Sequence, residues 1–559
     1  MADAAQTEGV SRVRWGAAVI LWAISWPLGW QMGGATGSLL TALWPSIVAL
    51  GVVYLTRNAL LGLVAGAAGG AIILCDGRPW VAFLSLMGDH FAPHFTSEWK
   101  LSAVAFTLLL GGFAAVLERS GGLEYFLRRY LLRGGESPTR LQAGAAGLGL
   151  VCFFDGLANS VLVGRLVSPL AERHGVSRVK LAYLADSTSS AVACVAFLST
   201  WIAYQLSMIR EGFALIGEET NPYAWFLRSL PYNYYCWFTL LMVALVIWRN
   251  FNPGPMGAYE RAARAKAGQG EAQGAESTAT SGGLLLCVVS LLTLLLALLG
   301  GLYYFGVPSA LGDDAAYFPL TVDKVTASFG SNAGAFVLVF GGVVASLAAL
   351  LFFPLSGRTY AEGGKAYGAG VKHLMAPVLI LVGAWMLSST LSSLNTGKLL
   401  GDLVGAWAPL ALLPVIIFVF GALISFSTGT SWGTMGILMP LAIPLIANHP
   451  GAELGDLAPL YAAAVGAVFS GAVFGDHCSP ISDTTLVSAI TCDVTPHDHV
   501  RTQLPFALMS ALAAAVLGFI PAGLGAPGWV GLLVGAGALI AATFALKRWS
   551  AVSARGEIL

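Results

Sequence analysis

Charged residues are scarce in this 559-residue sequence. Asp, Glu, Lys and Arg make up 10% of it, whereas soluble domains carry roughly 25%. The formal net charge is zero, so the chain has no bulk attraction to nucleic acid. Hydrophobic residues make up 57% and the mean hydropathy is +0.75. A soluble fold would have to bury all of the long apolar runs at once, so the composition predicts a membrane protein.

Paired cysteines and enzyme motifs are also scarce. The seven cysteines form no CxxC pair and lie mostly in apolar runs: Cys75, Cys152, Cys194, Cys236, Cys287, Cys478 and Cys492. This pattern indicates neither a disulfide framework nor a zinc site. The sequence contains no HExxH and no Walker A pattern, so we expect neither an enzyme nor a bound cofactor.

What the sequence does contain is a series of apolar runs, each near the length of about 20 residues that crosses a bilayer. They predict an all-α polytopic membrane protein of about twelve transmembrane helices. The predicted spans are 15–34, 37–55, 58–75, 101–118, 181–206, 230–248, 284–306, 334–353, 374–394, 458–492, 503–522 and 527–546. Two further apolar stretches, 141–172 and 409–447, are interrupted by FFDGLANS and ISFSTGTSWGT. Both interruptions are rich in Gly, Ser, Thr and Asn, which favour turns. The two stretches are therefore predicted to be re-entrant hairpins.

The distribution of basic residues gives an orientation. With the N-terminus inside and both hairpins re-entrant, 22 of the 29 Lys and Arg residues lie on the cytoplasmic side and six outside. Arg165 is left in the first hairpin. Fully crossing hairpins would place the Arg-rich segments 119–140 and 173–180 on opposite sides and weaken this asymmetry. The positive-inside pattern therefore predicts that both termini are cytoplasmic.

The polar stretch 249–283 is rich in Gly, Ala and charge, which predicts a flexible cytoplasmic linker between two halves. LVGRLVSPLAER at 162–173 parallels GILMPLAIPL at 436–445, and SSAVACVA at 189–196 parallels SGAVFGDH at 470–477. Since the hairpins open from opposite sides, the halves are predicted to be inverted repeats, an arrangement typical of secondary transporters. The predicted segments are a tail with the first span (1–36), a first repeat (37–248), the linker, a second repeat (284–522) and a last span with its tail (523–559).

Acidic residues within apolar stretches are candidates for function, because a charge in the bilayer costs about 2.5–3.5 kcal/mol on insertion scales. Asp155 and Asn159 in the first hairpin share one face if that segment is helical. A structural hydrogen bond at the turn is the alternative for this pair. Asp186 opens DSTSS within a predicted span, although it would be near the membrane surface if the span began at Lys180.

The stretch 474–485, FGDHCSPISDTT, holds Asp476 and Asp483 on either side of Pro480. Proline removes a backbone donor, so we expect the helix to break there. Freed carbonyls, carboxylates and the hydroxyls of Ser479, Ser482 and Thr484 are oxygen ligands suited to a hard cation such as sodium. A buried carboxylate also binds a proton, so the two ions would compete for one group. A hydrogen-bonded kink is the alternative.

Other polar side chains are secondary candidates. The second hairpin supplies hydroxyls but no acid, and we also count an imidazole and a hydroxyl near Pro480: Thr428, Thr430, Ser431, His477 and Thr485. His477 is predicted to be a structural hydrogen-bonder rather than a proton carrier. His497 and His499 form an HxH that suits a metal, and a membrane-embedded metal enzyme using them with His477 is a further alternative. A surface loop is the simpler reading of the HxH.

FGDHCSPISDTT, followed by HDHVRTQLP at 497–505, resembles the signature of the NhaC family of sodium/proton antiporters. FFDGLANSVLVGR at 153–165, KLAYLADSTSS at 180–190 with STWIAYQL at 199–206, and GTSWGTMGILMPLAIPL at 429–445 resemble further blocks of that family. These blocks lie in family order and cover most of 150–505. This chain has Gly156 where the family pattern places a second acid.

The resemblance implies an inverted-repeat fold of the ion-transporter type in a prokaryotic inner membrane. It also implies sodium/proton exchange and a role in pH homeostasis. Carried over by position, it nominates Asp155, Asn159, Asp186, Asp476, Ser479, Ser482, Asp483 and Thr484 for ion binding and coupling.

We therefore predict a sodium/proton antiporter that works by alternating access, with sodium bound at Asp155, Asp476 and Asp483. The alternative is a sodium- or proton-coupled exchanger of a small organic acid or amino acid, of the malate/lactate type, in which Arg165 and the hairpin hydroxyls would receive a carboxylate. The predicted partners are membrane lipids, sodium ions and protons. The sequence does not decide the oligomeric state, for which a homodimer is one possibility.

Overall fold

The computed structural model describes residues 2–31, 38–132, 137–267, 280–312, 314–329, 331, 333–405, 407–452 and 456–556. Every regular element in these ranges is helical, which confirms the predicted all-α class. The first fourteen helices are α1 (Ala2–Ala23), α2 (Ser25–Gln31), α3 (Leu39–Thr56), α4 (Ala59–Leu74), α5 (Pro79–Gly88), α6 (Glu98–Arg119), α7 (Gly122–Phe126), α8 (Pro138–Val151), α9 (Gly156–Arg173), α10 (Arg178–Val195), α11 (Ile202–Ala214), α12 (Pro222–Ser229), α13 (Tyr234–Arg249) and α14 (Pro255–Ala265).

The remaining helices follow the segment 268–279, which lies outside the described residues. They are α15 (Ser281–Leu311), α16 (Val322–Phe329), α17 (Gly334–Phe352), α18 (Tyr360–His373), α19 (Met375–Ser393), α20 (Thr396–Gly405), α21 (Leu413–Thr428), α22 (Ser431–Ala447), α23 (Ala458–Cys478), α24 (Asp483–Thr491), α25 (Pro496–Ala513), α26 (Ile520–Gly523) and α27 (Gly528–Gly556). The predicted linker 249–283 contains the helix α14. The division into domains stays a prediction.

Eight helices of the described chain are long and apolar enough to cross a membrane, or up to ten if each of two bent pairs is one span. The chain is therefore a multi-pass membrane protein. The predicted number of about twelve is higher because some predicted spans are broken into shorter helices. The predicted span 181–206 is divided between α10 and α11, and 458–492 between α23 and α24.

Two boundaries depart from the prediction for local reasons. Asp76 and Gly77 both have positive φ, so the chain turns after α4 and continues at 118° into 79–95, a helical segment that we did not predict. The predicted span 374–394 begins earlier: α18 and α19 together form a 34-residue apolar segment, Tyr360–Ser393. A capping box at Thr359 and Glu362 starts this segment, because the two side chains satisfy free backbone donors.

The two predicted hairpins are present as helix–turn–helix pairs. The helices α8 and α9 are joined at Cys152–Asp155, and α21 and α22 are joined at Gly429 and Thr430. Each pair is followed by a broken helix, α10–α11 after the first and α23–α24 after the second. The same order of hairpin and broken helix thus occurs in both halves of the chain.

Each hairpin turn also contacts the broken segment of its own half. In the first half, the backbone N of Thr200 donates to the carbonyl of Phe154 at 2.9 Å. In the second half, Gly429 has φ +69, and a Cβ added there would lie 2.7 Å from the Ile481 side chain. Glycine is required at this turn because both the left-handed conformation and the close approach exclude a side chain.

Two glycines set the position of α23 against α21. A Cβ on Gly471 would lie 2.6 Å from the carbonyl O of Phe418, and one on Gly475 would lie 2.3 Å from the backbone N of Phe426. They form a GxxxG spacing, which lets two membrane helices approach closely. Gly475 directly precedes Asp476, so this contact helps to position Asp476 close to α21.

Candidate functional site

Asp476 lies in the last turn of α23 and is 4% exposed. Its Oδ2 accepts hydrogen bonds from Ser190 Oγ at 3.0 Å and Thr484 Oγ1 at 3.1 Å. Its Oδ1 accepts one from Ser482 Oγ. We call Asp476, Ser190, Ser482 and Thr484 the hydroxyl cluster. Its hydroxyl donors are Ser190 from α10 in one half of the chain, and Ser482 from the break after α23 and Thr484 from α24 in the other half.

The predicted helix break at Pro480 is confirmed, since α23 ends at Cys478 and α24 begins at Asp483. In an unbroken helix, the carbonyl of Asp476 would accept from the backbone N–H of residue 480, which a proline does not have. Thr485 Oγ1 donates to this carbonyl instead, at 3.0 Å. Gln503 Nε2 likewise donates to the carbonyl of His477. Side chains thus satisfy the carbonyls that the break sets free.

Asp186 in α10 is 0% exposed. Its Oδ2 accepts from Gln503 Nε2 at 2.8 Å and faces His499 Nε2 and Thr485 Oγ1, each at 3.2 Å. Thr485 therefore touches both the Asp186 carboxylate and the backbone of Asp476. The two buried aspartates belong to one hydrogen-bonded network.

His477 is held on both sides of its ring. Its Nε2 is 2.9 Å from Ser187 Oγ and its Nδ1 is 2.7 Å from Tyr235 OH. With both ring nitrogens hydrogen-bonded and the side chain buried, His477 is positioned as a structural link between α10, α13 and α23. The structural role of His477 stays a prediction, which these two contacts suit.

The first hairpin is fastened to the same region by its polar residues. Asn159 Nδ2 donates to the carbonyls of Gly149 at 3.1 Å and Thr188 at 2.7 Å. Ser160 Oγ and Ser488 Oγ are 2.9 Å apart, which ties α9 to α24. Asn159 thus makes structural hydrogen bonds, which is the alternative considered for it in the sequence.

Asp155 and Asp483 lie outside the network around Asp476. Asp155 Oδ1 accepts from the backbone N of Ala158 at 2.9 Å, and its side chain faces a cavity shared with Glu118 and His373. Asp483 is exposed and lies within electrostatic reach of His373. The structure therefore does not bring Asp155, Asp476 and Asp483 together as the predicted sodium site. The physical reason is that α24 turns Asp483 outward while Ser482 and Thr484 point inward.

In the second hairpin, one of the three predicted hydroxyls faces the cluster. Thr428 Oγ1 donates to the carbonyl of Ile424 at 2.8 Å, and Thr430 Oγ1 caps α22 by accepting from Gly433 N at 3.2 Å. Ser431 Oγ is buried, makes no hydrogen bond with the described residues and lies near the Asp476 carboxylate. Of the three hydroxyls, it is the one beside the hydroxyl cluster.

Several buried oxygens near Asp476 lack a partner among the described residues. They are Asp186 Oδ1, Ser431 Oγ and Ser479 Oγ. Most buried polar atoms in proteins are hydrogen-bonded, so a group of unsatisfied oxygens beside a carboxylate is a position where a cation would find ligands.

The charge around the two aspartates is equally informative. In the described part of the chain, neither Asp476 nor Asp186 has a Lys or Arg within salt-bridge distance, and the imidazole of His499 is the basic group nearest to Asp186. Neutral hydroxyls therefore hold the Asp476 carboxylate, whereas Asp186 contacts an amide, a hydroxyl and an imidazole. Among these same residues, no group of three or more His, Cys, Asp or Glu is spaced to hold a metal ion. His497 is exposed while His499 is buried in α25, so the HxH is not the surface loop that was expected.

The string GTSWG at 429–433 fits the letters of the esterase pattern GxSxG. In esterases that serine sits on a strand-to-helix turn with a histidine in reach. Here Ser431 begins α22 after a helix–helix turn, and its hydroxyl has no histidine partner among the described residues. The string belongs to the hairpin rather than to a nucleophile elbow.

Sequence reasoning did not place five residues in this network: Ser187, Ser190, Tyr235, Gln503 and His499, which was considered only as a metal ligand. His499 and Gln503 are four residues apart and share one face of α25, which was a usable signal within HDHVRTQLP. Ser190 is the last residue of DSTSS, but hydroxyl runs do not show which member faces a partner. Tyr235 gave no signal in the sequence.

The hairpins, the broken helices and the buried carboxylates together define a membrane transporter. Residues 192–523 match the model of the Na+/H+ antiporter family. The chain is 33% identical over 512 residues to an uncharacterized protein of Haemophilus influenzae, covering 90% of this chain and 95% of that one. The chain belongs to the Na+/H+ antiporter family, and the resemblance seen in its sequence blocks is confirmed.

Two relatives with named activities match over shorter stretches. The malate-2H(+)/Na(+)-lactate antiporter of Bacillus subtilis is 30% identical over 30% of this chain and 35% of its own length. The Na(+)/H(+) antiporter NhaC of the same organism is 29% identical over 32% of this chain and 37% of its own. The chain is similar to antiporters of both kinds.

A solved structure shows the same fold at low sequence identity. MtrF of Neisseria gonorrhoeae, from a class of antimetabolite efflux pumps, superposes with a TM-score of 0.55 at 14% identity. The match covers 87% of this chain and 96% of that one. The likeness concerns the fold alone.

Proposed function

We propose that this protein exchanges sodium ions for protons across the cell membrane by alternating access, with the cation bound at the hydroxyl cluster. The observation that carries the proposal is Asp476, a buried carboxylate whose contacts are neutral hydroxyls. An uncompensated buried charge is costly. A carboxylate in this setting therefore favours binding either a proton or a metal cation.

The hydroxyls suit both states of the site. Ser190, Ser482 and Thr484 donate to the free carboxylate, and their lone pairs become available when the O–H bonds rotate. With Ser431 and one oxygen of Asp186 they offer sodium a set of hard oxygen ligands. A proton on Asp476 removes the charge that attracts sodium, so one ion leaves as the other binds.

The contacts between hairpins and broken helices support the access mechanism. Each hairpin turn touches the break of its own half, through Thr200 with Phe154 and through Gly429 with Ile481. Separation of one contact at a time would open the cluster to one side of the membrane. Hinges at element ends commonly carry such motions.

We place the protein in the cytoplasmic membrane, surrounded by lipid, with both termini inside and with the two halves as inverted repeats. The excess of Lys and Arg on one side supports this orientation. The repeated order of hairpin and broken helix supports the repeats. Labelling of single cysteines introduced at Glu98 and Glu362 would test the orientation, since the predicted topology puts Glu98 outside and Glu362 inside.

A second candidate function is exchange of a small organic acid or amino acid together with sodium or protons. The named activity of the malate and lactate antiporter favours it. Against it, a substrate carboxylate needs a basic partner, and Arg165 is exposed and lies near Glu118 rather than near the hydroxyl cluster.

Transport by the purified protein in proteoliposomes would test these functions. Sodium added outside should move protons outward, as recorded by a pH-sensitive dye inside, with no organic substrate present. Separate arms would contain malate, lactate or arginine. Proton movement that requires one of these solutes would replace sodium/proton exchange by the second candidate, and no sodium-dependent movement in any arm would contradict both.

A further inference from the structure

A cavity of about 290 Å³ lies beside the first hairpin, separate from the hydroxyl cluster. Three titratable side chains line it: Glu118 from α6, Asp155 from the hairpin turn and His373 from α18. The rest of its wall consists of Gly, Ala, Leu and Val. We call it the acid cavity. Glu118 and His373 were not candidates in the sequence.

The composition of the wall separates this cavity from the cation site. Among the described residues, no hydroxyl or amide side chain lines the acid cavity. The hydroxyl cluster, in contrast, supplies three hydroxyls to one carboxylate. A hard metal cation needs several oxygen ligands. Carboxylates with an imidazole are instead the groups that relay protons in membrane transporters.

Asp155 is a buried carboxylate at the wall of the acid cavity. It is 8% exposed, and its Oδ1 accepts a hydrogen bond from the backbone N of Ala158 at 2.9 Å. In the described part of the chain, no Lys or Arg lies within salt-bridge distance of this carboxylate. A carboxylate this buried without a cationic partner favours binding a proton, and the apolar remainder of the wall offers a metal cation few ligands.

The charged and titratable neighbours come from each element that packs around the cavity. His373, Arg119 and Arg165 surround Glu118, while Asp155 faces His373 and Glu118 and lies near the thiol of Cys152. Asp483 faces His373 from α24. Glu118 therefore has both basic groups and the Asp155 carboxylate among its charged neighbours.

A short chain of contacts joins the acid cavity to the hydroxyl cluster. The carbonyl of Gly156, next to Asp155, accepts from Ser189 Oγ at 2.6 Å. The next residue, Ser190, donates to Asp476 at 3.0 Å. Two consecutive residues of α10 thus contact the hairpin turn beside Asp155 and the proposed cation site.

We propose that the acid cavity is the proton-access site of this antiporter. Glu118, with His373 beside it, exchanges protons with water, and Asp155 passes them toward the hydroxyl cluster. Each step moves one proton from one carboxyl or imidazole group to the next and breaks no other bond. The proposal rests on the sodium/proton exchange proposed above, and it adds that protons and sodium reach the cluster through different side chains.

The test compares two activities of the same proteoliposomes. The first is sodium-driven proton movement, and the second is exchange of ²²Na+ for unlabelled sodium at equal pH on both sides. Glu118→Gln and His373→Gln should each slow sodium/proton exchange at least about tenfold, as expected for loss of a positioned proton-transfer group, while ²²Na+ exchange stays within about twofold of wild type. Glu118→Asp keeps a carboxyl group and should restore much of the proton movement.

Glu98→Gln is the matched control, because Glu98 is exposed at the other end of the same helix, about 30 Å away at 1.5 Å per residue. The inference is overturned if Glu118→Gln and His373→Gln both move protons like this control. It is also overturned if they lose ²²Na+ exchange together with proton movement, since that result shows a structural or cation-binding role. A wild-type protein that exchanges ²²Na+ but moves no protons would instead contradict the proposed function.

Discussion

Two buried carboxylates of this protein, Glu260 and Asp476, differ in what balances their charge. Glu260 on α14 is 2% exposed and accepts from the backbone N and Oγ of Ser177 at 2.8 and 2.7 Å. Lys180 Nζ lies 3.5 Å from it and is itself 0% exposed. Asp476 is equally buried but is held by hydroxyls alone. One charge has a permanent partner in the protein and the other does not.

This difference shows that burial of a carboxylate is not enough to identify a transport site. Burying an ion costs several kcal/mol unless a partner and hydrogen bonds offset it. At Glu260 the ammonium of Lys180 offsets this cost, so the group is stable with nothing bound. At Asp476 the offset has to come from outside the protein, as a proton or a cation, and this is what makes it a candidate for exchange.

The same helix carries both kinds of charge. Lys180 and Ser177 are at the N-terminal end of α10, and Asp186 and Ser190 are further along it. The helix α14 from the predicted linker therefore fastens one end of the helix that contributes to the hydroxyl cluster. A second contact, from Tyr259 OH to Asp498 at 2.8 Å, joins α14 to α25.

The largest effect is expected at the fixed pair. Glu260→Ala leaves Lys180 buried without its partner and should lower the free energy of unfolding by about 3–5 kcal/mol. Thermal unfolding of the detergent-purified protein measures this. The double variant Glu260→Met with Lys180→Met should recover most of the loss, and exchange by the folded fraction should persist. Unchanged stability in Glu260→Ala would remove the contrast between the two carboxylates.

Asp476→Asn should have the opposite profile, with a normal melting temperature and lost transport. Unit charges 4 Å apart attract by about 4 kcal/mol at an effective dielectric of about 20, so removing this charge should weaken sodium binding more than about 100-fold. Sodium-driven proton movement and ²²Na+ exchange should both disappear. Asp402→Asn, an exposed carboxylate on α20, is the matched control. Wild-type exchange by Asp476→Asn would place the cation elsewhere.

A fixed charge introduced beside Asp476 should make it resemble Glu260. Ser431→Lys puts an ammonium where an unpaired hydroxyl faces the carboxylate. Wild-type protein should be stabilised by sodium by about 2.7 kcal/mol at about 100 times its dissociation constant. The lysine variant should lose this sodium-dependent shift in unfolding, while Ser431→Met, similar in size and uncharged, should keep part of it. An equal shift in the lysine variant and wild type would show that sodium does not bind near Ser431.

Much of this fold could be predicted from the sequence, because the helix break and the hairpin turns each have a local cause. Pro480 cannot supply the backbone donor of an unbroken helix, so the break is predictable from one residue. The hairpin turns follow from Gly, Ser and Asn within apolar runs. The number of spans was less accessible, because the break between α10 and α11 contains no proline and is stabilised by distant contacts, such as Thr200 with Phe154.

The candidate site could be predicted from the sequence in part, again where the signal is local. Asp476 and Asp186 stand out because acids are rare in apolar stretches. Which acids meet depends on the rotation of each helix, and α24 directs Thr484 inward and Asp483 outward. One sequence does not show how the helices pack. It therefore does not reveal that Ser190, from the other half of the chain, contacts Asp476, or that Glu118, near a helix end, lines a cavity.

Ser190 provides the smallest and most specific test of the comparison. Ser190→Ala removes one neutral donor from Asp476 and leaves the carboxylate in place. A hydrogen bond to a charged group contributes about 1.5 kcal/mol, so half-saturation of exchange should require roughly tenfold more sodium. Ser346→Ala is the control, because that buried hydroxyl bonds the carbonyl of Leu109 away from the cluster. If the two variants have equal sodium dependence, the hydroxyls around Asp476 support the fold and not the ion, and the contrast with Glu260 would rest on Asp476 alone.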